Sequence, residues 1–308
     1  MDIPVRIPDR LRKAMHAPDR AAFGPAWIDD LPDRIARLAD RYSLTIDLPM
    51  TEPYAEMSFN YITPGKRADG TEVILKVAYE RGVYVTERSG IRLSNPEGMV
   101  SLLGTYDEDF ALILERVRPG IPLSECENDE ENTHIAADVM RRLWQPALHA
   151  HALRSVEDWT VGGMARYRDR HADGGPLPLD WVAAAEDAFR SLSATTSQRL
   201  VLHGDLHHFN ILSSDRNGWL AIDPKGMEGD PGYELGAFMG NELPDDTSGW
   251  PDLLSRRIEI FSEDLDIPWE HLVTWSWAHA VLVSTWCERS GDDWASTMKR
   301  AEIIRRLP

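Results

Sequence analysis

The segment from residue 201 to residue 226 constrains the fold of this chain more than any other part. It reads Val-Leu-His-Gly-Asp-Leu-His-His-Phe-Asn-Ile-Leu over 201–212, then a short polar turn, then Trp-Leu-Ala-Ile-Asp-Pro-Lys-Gly over 219–226. Two apolar stretches flank Ser213–Gly218, and the Asn-Gly pair in that turn is a strong hairpin signal. The pattern predicts a β-hairpin with a polar loop before it and an acid, Asp223, directly after it.

The polar side chains of this segment suit the transfer of a phosphoryl group. That reaction needs little covalent chemistry from a protein, because the acceptor hydroxyl has only to be aligned with the γ-phosphate and to give up its proton. Asp205 is predicted to be the catalytic base or the residue that orients the hydroxyl. Asn210 and Asp223 are predicted to bind Mg²⁺, which prefers oxygen ligands and would bridge the phosphates of ATP. His203 is predicted to brace the loop.

A lysine in an apolar strand far upstream supplies a cation for the same chemistry. Lys76 lies in Val-Ile-Leu-Lys-Val-Ala, within a predicted strand over Glu72–Tyr79. In a kinase such a lysine grips the α- and β-phosphates and is held by an acid on a helix. Glu87, in a predicted short helix over Thr86–Leu93, is the preferred candidate for that acid. Glu80 is nearer in sequence but is predicted to lie in the turn.

Further contacts to the nucleotide are predicted on both sides of this strand. Glu115 and Val117 close the last strand of the N-terminal half, where main-chain groups could bind the adenine edge. A glycine-rich phosphate loop is absent from Tyr54–Tyr61. Ser58 and Asn60 are therefore the candidates there for hydroxyl and amide contacts to phosphate.

The order of predicted elements divides the chain into two lobes. The first fifty residues predict one or two short helices broken by prolines, with Leu31–Leu44 as the best helical stretch. Strand patterns and turn signals, beginning with a possible strand over Met57–Ile62, dominate from about residue 54 to Val117, whereas the pattern beyond residue 131 is mostly helical. Runs of strands followed by runs of helices indicate an α+β fold. We predict a nucleotide-binding lobe over residues 1–117, including an N-terminal helical segment, and a helical lobe with the substrate site over residues 118–308.

Composition excludes several other classes of protein. The formal net charge of −18 disfavours nucleic acid as a partner and is compatible with a cationic small molecule as substrate. The two cysteines, Cys126 and Cys287, have no metal-like spacing and indicate a reducing compartment. No stretch resembles a signal peptide or a membrane span, so a cytoplasmic protein without membrane contact is expected. The oligomeric state is not predictable from the sequence.

The run over 203–212 resembles the catalytic loop of the aminoglycoside phosphotransferase family. Protein kinases have Arg before the catalytic Asp and Asp-Phe-Gly at the second acid, whereas this chain has Gly204 and Asp-Pro-Lys-Gly at 223–226. The run over 221–234 is similar to that of the streptomycin 6-phosphotransferase and hydroxyurea kinase subgroup. The resemblance implies a bilobal protein-kinase-like fold and ATP- and Mg²⁺-dependent phosphorylation of a small molecule such as streptomycin, as in antibiotic resistance.

The resemblance also implies roles for individual residues. Asp205 would be the base, Asn210 and Asp223 the magnesium ligands, and Lys76 a phosphate contact. Asp230 is a candidate substrate-binding residue, because the loop after the metal acid could border the acceptor site. Both Asp230 and its neighbour Glu234 could instead cap or brace the next helix, and this role is preferred for Glu234. Most tryptophans of the C-terminal helices are expected in the core, with one or two beside the acceptor.

Two interpretations from other functional classes compete with the interpretation of this chain as a kinase. His203, Asp205, His207 and His208 are dense enough to suggest a zinc hydrolase, but that reading leaves Lys76 and Asn210 without a role. A nucleotide-binding module without catalysis is the second alternative. The presence of every residue type that catalysis requires disfavours it.

Overall fold

The computed structural model of the protein describes residues 7–17, 20–46, 59–148 and 152–308. Contacts within the chain group it into two compact units. The first comprises Met1–Arg88 and Val100–Val117, and the second comprises Ser89–Met99 and Arg118–Pro308. Strands of one antiparallel sheet dominate the first unit and helices dominate the second, so the predicted α+β class is confirmed.

The first unit is built on a five-stranded sheet. The elements from the N-terminus to residue 115 are α1 (Asp9–Met15), α2 (Gly24–Tyr42), β1 (Leu44–Ile46), β2 (Tyr61–Arg67), β3 (Glu72–Val77), α3 (Arg81–Leu93), β4 (Leu102–Tyr106) and β5 (Ala111–Glu115). The strand order is β1-β2-β3-β5-β4, and every neighbouring pair is antiparallel. Lys76 lies opposite Ile62 on β2 and Leu112 on β5, at the centre of the sheet.

The two N-terminal helices pack their apolar faces against this sheet. Their buried residues recur at helical spacing, as expected for helices with one face toward a core. The cluster that they form with the sheet includes Leu11, Met15, Trp27, Ile28, Leu31, Ile35, Leu38, Val73, Leu75, Val77, Ala111 and Ile113. The sheet is therefore held from one side by residues that precede it in the chain.

Helix α2 differs from the sequence prediction. The best helical stretch was expected over Leu31–Leu44 with prolines as breaks, but α2 begins at Gly24 and contains Pro32. A proline inside a helix costs about 3 kcal/mol because a hydrogen bond is lost and the ring crowds the preceding turn. Burial of Trp27 and Ile28 before the proline, at about 1.5–3 kcal/mol for each large side chain, offsets this cost.

Two shorter elements also differ at their boundaries. The predicted strand Met57–Ile62 corresponds to β2, which begins at Tyr61 and continues to Arg67, while Met57 and Ser58 lie outside the described residues. Helix α3 begins at Arg81, five residues before the predicted start at Thr86. Glu87 consequently lies in the middle of this helix.

Helices form most of the second unit. Beyond residue 117 the strands and helices are β6 (Pro119–Pro122), α4 (Asp129–Leu143), β7 (Gln145–Pro146), β8 (Arg154–Ser155), α5 (Val156–Arg170), α6 (Leu179–Thr195), β9 (Leu200–Leu202), β10 (Ile211–Ser214), β11 (Gly218–Ala221), β12 (Met227–Gly229), α7 (Leu235–Phe238), α8 (Trp250–Leu265), α9 (Trp269–Ser290) and α10 (Trp294–Arg305). None of the helices in the described ranges combines the length and apolar character needed to cross a membrane.

The predicted hairpin is present as β10 and β11. Ile211 pairs with Ala221 at its base, and Ser214 pairs with Gly218 beside the turn. Gly218 has φ of 76°, a left-handed conformation that glycine adopts at low cost. Because β10 and β11 are antiparallel, the loop before Ile211 and the residues after Ala221 lie at the same end of the hairpin.

Ser89–Met99, which the sequence prediction placed in the first lobe, belong to the second unit. The end of α3 is packed closely there, since a Cβ on Gly90 would lie 2.8 Å from the Cα of Gly226. The main-chain N–H of Asn95 donates to the carbonyl of Leu143 at 3.0 Å. These contacts join residues far apart in the chain, so the local pattern could not reveal them.

Candidate functional site

Lys76 and Glu87 form a buried ion pair in the first unit. Lys76 Nζ donates to Glu87 Oε1 at 2.7 Å, and each side chain is 3% exposed. Strand β3 and helix α3 present the two groups to each other. The predicted pairing of Glu87 with Lys76 is confirmed, and the alternative partner Glu80 is not needed. The binding of nucleotide phosphates by this lysine stays a prediction.

The two residues predicted to bind the adenine edge have different surroundings. The N–H of Glu115 donates to the carbonyl of Ser101 at 2.9 Å, and its carboxylate accepts from the N–H of Ser101 at 3.1 Å. The main-chain groups of Val117 have no hydrogen-bond partner among the residues that the structure describes. Of the two, Val117 therefore has the main-chain groups available for a base edge.

The predicted phosphate contacts near residue 58 are only partly described. Ser58 lies outside the described residues. Asn60 is described, and its Oδ1 is buried without a hydrogen-bond partner in the part of the chain that the structure covers. A buried amide oxygen without a partner is unfavourable, so this residue is poised to accept a hydrogen bond.

In the second unit, a buried carboxylate holds the loop that carries Asp205. Glu234 accepts from the N–H of His203 at 2.8 Å and from the N–H of Gly204 at 2.7 Å. Burial raises the pKa of Glu234 to about 7, although these two hydrogen bonds favour the ionised form. Glu234 therefore braces this loop, whereas the sequence prediction had it capping or bracing the next helix, at whose start its side chain makes no capping hydrogen bond.

His203 joins the loop to the end of the hairpin. Its Nε2 donates to the carbonyl of Ile222 at 2.7 Å, and its Nδ1 accepts from the N–H of Asp205 at 3.2 Å. Burial lowers the pKa of His203 to about 4, so the imidazole is uncharged at neutral pH and can fill both roles. The predicted bracing role of His203 agrees with these contacts.

Asn210 is fixed by hydrogen bonds from three directions. Its Nδ2 donates to the carbonyl of Asp205 at 2.9 Å and lies 3.2 Å from His207 Nε2. Its carbonyl accepts from the N–H of Ile222 at 2.9 Å, which ties the loop to the residue before Asp223. Because Nδ2 faces the loop, Oδ1 is the amide atom that remains to bind a metal.

Asp223 has a backbone conformation that is uncommon for its residue type. Its φ of 59° lies in the left-handed region, and its side chain is half-buried. The charges of both Asp205 and Asp223 raise the pKa of His203 against the larger effect of burial, so both acids act on the same imidazole. One amide oxygen and one carboxylate suit Mg²⁺, which is bound by few protein ligands and completes its shell with phosphates and water.

The Asp205 carboxylate itself is partly open to solvent. Lys225 Nζ lies 3.1 Å from Asp205 Oδ2, with the lysine and aspartate side chains 47% and 32% exposed. The N–H of Lys225 also donates to the carbonyl of His203 at 2.8 Å. The ammonium is therefore attached to the same frame as the acid and can move away on its flexible stem.

Asp230 is placed for a structural role. Its buried carboxylate accepts from Gly232 N–H, Thr196 Oγ1 and His271 Nε2, each at 2.8 Å. The hydrogen bond to Gly232 caps the short 3-10 helix Pro231–Glu234. With its oxygens engaged inside the protein, the geometry favours capping over the predicted contact with substrate, which no observation tests directly.

The structure does not support the zinc alternative. Among the described residues, no three His, Cys, Asp or Glu side chains are grouped so that they could hold a metal ion. Both nitrogens of His203 are engaged, as described above. His208 turns into the core, where its ring stacks on Phe238 with centroids 4.0 Å apart.

An aromatic cluster near Asp205 was not anticipated from the sequence. Burial raises the pKa of Tyr233, and the charges of Asp205 and Glu234 raise it further. Half-buried Trp159 lies next to Tyr233, and the guanidinium of Arg154 stacks 4.3 Å above the Trp159 ring. The tryptophans considered earlier include Trp275, which is fully buried. Nothing in the local sequence distinguishes Trp159, because two of its aromatic neighbours, Tyr233 and Trp286, come from distant parts of the chain.

Comparisons with known proteins identify the family of this chain. Residues 50–291 match the model of the aminoglycoside/hydroxyurea antibiotic resistance kinase family. A streptomycin 6-kinase of Streptomyces glaucescens is 30% identical over 292 residues, which cover 92% of this chain and 91% of that protein. A hydroxyurea phosphotransferase of Kitasatospora aureofaciens is 29% identical over 277 residues, which cover 88% of this chain and 77% of the relative.

Solved structures support the same fold. A complex of the aminoglycoside phosphotransferase APH(4)-Ia with AMP-PNP and hygromycin B has a TM-score of 0.56 and 16% identity, covering 88% of this chain and 97% of the other. The predicted protein-kinase-like fold is thereby confirmed. Since the family model spans most of the chain, the protein belongs to the aminoglycoside/hydroxyurea antibiotic resistance kinase family and is a phosphotransferase.

Proposed function

We propose that this phosphotransferase transfers the γ-phosphate of ATP, with Mg²⁺, to a hydroxyl group of an aminoglycoside such as streptomycin. The observation that carries the proposal is the Asp205 loop, in which His203 and Glu234 hold the main chain while the Asp205 carboxylate stays partly open to solvent. Asn210 is tied to the same loop through the carbonyl of Asp205. The relative from Streptomyces glaucescens, named a streptomycin 6-kinase, supports the acceptor.

The first unit is proposed to hold the nucleotide. Lys76, kept in position by Glu87, supplies a positive charge to the α- and β-phosphates. Main-chain groups of Val117 receive the adenine edge, and Glu115 stabilises the strand before it. Ser58 and Asn60 are retained as candidates for further phosphate contacts. The structural neighbour bound to AMP-PNP supports a nucleotide as the phosphate donor.

The second unit is proposed to hold the metal and to act on the acceptor. Asn210 Oδ1 and the Asp223 carboxylate would hold Mg²⁺, which neutralises phosphate charge when it is bound. Asp205 accepts the proton of the acceptor hydroxyl and aligns its oxygen for attack. Lys225, which pairs with Asp205 here, is positioned to screen that carboxylate until an acceptor arrives.

The proposed acceptor carries positive charge. The net charge of −18 gives the protein a field that favours cations, although surface charge alone does not select one. Half-buried Trp159 contacts Tyr233, whose pKa the charge of Asp205 raises, and its ring carries Arg154 and packs against Trp286. Aromatic faces bind cationic and sugar groups well. We infer that Trp159 borders the acceptor, whereas Asp230 is retained only as an untested candidate.

The test is phosphorylation of streptomycin by purified protein with ATP and Mg²⁺, followed by mass spectrometry of the product. Asp205→Asn should lower kcat by at least about 10³-fold, because positioning and proton transfer are lost together, while the affinity for nucleotide persists. Asp215→Asn, in the turn of the hairpin, is the matched control and should keep full activity. Full turnover by Asp205→Asn would refute its role as base.

A second variant separates the metal role from the base role. Asp223→Asn should weaken the binding of Mg²⁺-nucleotide itself, measured by calorimetry at several Mg²⁺ concentrations. Unchanged affinity would remove Asp223 from the metal site and leave the assignment of Asp205 intact.

Hydroxyurea is the alternative acceptor, because the family description and one relative name it. A nucleotide-consumption assay with streptomycin, hydroxyurea and amino alcohols at equal concentrations discriminates these acceptors. Turnover with hydroxyurea alone would retain the kinase chemistry and overturn the aminoglycoside assignment.

A further inference from the structure

Two buried arginines of the second unit have opposite surroundings. Arg257 is fully buried, and its Nε donates to Asp129 at 2.8 Å. Its Nη1 also donates to the carbonyls of Phe238 at 3.1 Å and Asn241 at 2.9 Å. Arg300 is only 4% exposed, yet it has no hydrogen bond or ion pair to any residue that the structure describes. A buried charge without such partners is unfavourable and requires a counter-ion from elsewhere.

The titratable groups His279 and Cys287 beside Arg300 do not carry the missing negative charge. Burial lowers the pKa of Arg300 to about 10, so the guanidinium stays charged at neutral pH. Burial and the Arg300 charge lower the pKa of His279 to about 3, which leaves its imidazole neutral. Burial also raises the pKa of the Cys287 thiol, the other titratable neighbour, so this group is uncharged as well.

Arg300 lies on the wall of a cavity of about 630 Å³. One side of this cavity comes from the segment between Gly240 and Trp250, and the other from Ser296, Thr297 and Arg300 of α10. A Cβ on Gly240 would lie 1.8 Å from Arg300 Nη1, so the guanidinium rests directly on the main chain of this glycine. Both the close approach and the polar lining indicate a built binding site.

The charges at the cavity select the class of anion. Glu242 and Asp245, which also line it, are exposed, whereas Arg300 is buried. Two exposed carboxylates repel a divalent anion more strongly than a monovalent one. The planar fork of a guanidinium matches the geometry of a carboxylate.

We propose that this cavity binds the carboxylate of a small organic acid, with Arg300 as the counter-ion. The hydroxyl group of Ser296 borders the same space and can donate to a bound oxygen, whereas Thr297 Oγ1 already donates to the carbonyl of Trp294 at 2.8 Å. None of the residues assigned to phosphoryl transfer lines the cavity, so this proposal stands independently of the proposed function.

The test uses acetate and inorganic phosphate as probes on the full-length protein. Chloride is replaced by each anion at constant ionic strength and constant pH, and the thermal midpoint is recorded. A ligand that binds only the folded state raises the midpoint in a saturable manner. Acetate should give this response at lower concentration than phosphate. A stronger response to phosphate would overturn the carboxylate assignment, and no saturable response to either anion would overturn the site.

Three variants make the response specific. Arg300→Met should raise the half-saturating acetate concentration at least tenfold. Gly240→Ala keeps the charge of Arg300 but displaces its guanidinium, so it should raise the half-saturating acetate concentration to a similar degree. This variant provides the test if Arg300→Met does not fold. Arg306→Met, which removes one exposed charge just beyond α10, should respond as the wild type does. An unchanged response in both Arg300→Met and Gly240→Ala would refute the proposal.

Discussion

The two units hold their proposed functional charges in different ways. In the first unit, Lys76 is fixed by the carboxylate of Glu87, and both side chains are almost fully buried. In the second unit, Asp205 is paired with Lys225, which is partly exposed, and its carboxylate lies 4.0 Å from His207 Nε2. There the main chain is held instead, since buried Glu234 and neutral His203 accept hydrogen bonds from the N–H groups of the loop.

This difference corresponds to what each charge is proposed to do. A lysine that only has to hold phosphate can be fixed by a permanent partner, because its charge still acts on the ligand. An acid that must accept a proton needs access to the acceptor, so its position is better set through the backbone. The second unit therefore immobilises the loop and leaves the carboxylate of Asp205 accessible.

The largest effect is expected from breaking the buried pair. Glu87→Ala leaves the ammonium of Lys76 in the protein interior without that carboxylate, which should lower the free energy of unfolding by about 3–5 kcal/mol. Hydrogen exchange of β3 and urea unfolding measure this loss in the first unit. Glu72→Ala, which removes an acid at the exposed end of the same strand, is the control. Equal losses in both variants would mean that burial of the pair has no special importance.

Removing the brace of the second unit should have the next largest effect. Glu234→Ala leaves the N–H groups of His203 and Gly204 without their acceptor, at about 2–4 kcal/mol in total. The same variant should lower kcat by about tenfold or more, because the position of Asp205 is relaxed. Urea unfolding and steady-state kinetics measure the two effects, with Glu228→Ala as the control on β12. Wild-type kcat in Glu234→Ala would show that the brace does not position the base.

Lowering the pH should reduce the stability of the second unit, because its buried imidazoles are held in the uncharged form. The pKa of His279 is lowered from 6.5 to about 3, so below pH 6.5 the unfolded chain binds a proton that the folded protein excludes. Stability therefore falls as pH falls, and this one residue should account for about 2 kcal/mol between about pH 6.5 and pH 5. The raised pKa of Glu234 acts in the opposite direction, but it is common to every variant compared.

Urea unfolding of wild type and His279→Phe at the two pH values measures this contribution. His279→Phe should lose less stability on acidification, whereas His134→Gln, a change at an exposed position, should behave as the wild type. Identical pH dependence in wild type and His279→Phe would contradict the assignment.

The smallest effect is expected from breaking the partly exposed ion pair between Lys225 and Asp205. Lys225→Ala should change the free energy of unfolding by less than about 0.5 kcal/mol, because solvent screens a pair that is one third to one half exposed. The hydrogen bond from the main chain of residue 225 to His203 remains in the variant. A loss comparable with that of Glu87→Ala, in the same urea measurement, would remove the distinction between the two units.

Much of this protein was predictable because its chemistry is concentrated in short segments. The hairpin and the loop that carries Asp205 and Asn210 follow from local spacing and turn signals, as does the strand around Lys76. The family resemblance rests on the same residues, and the comparisons confirm it. Glu87 was identified because an acid on the next helix is close to that strand in the chain. The roles of Asp223, Val117 and Ser58 stay predictions.

The remaining features were decided by tertiary structure. Pro32 is tolerated inside α2 because the helix buries apolar side chains against a sheet formed later in the chain. Asp230 caps a 3-10 helix rather than pointing outward, and Arg300 has no acid among the described residues to match Asp129 beside Arg257. Local sequence specifies which residues can bend, pair or donate, since these depend on near neighbours. What lies opposite a buried group such as Arg257 depends on segments far apart in the chain, since its partner Asp129 is 128 residues away, and only the packed chain brings them together.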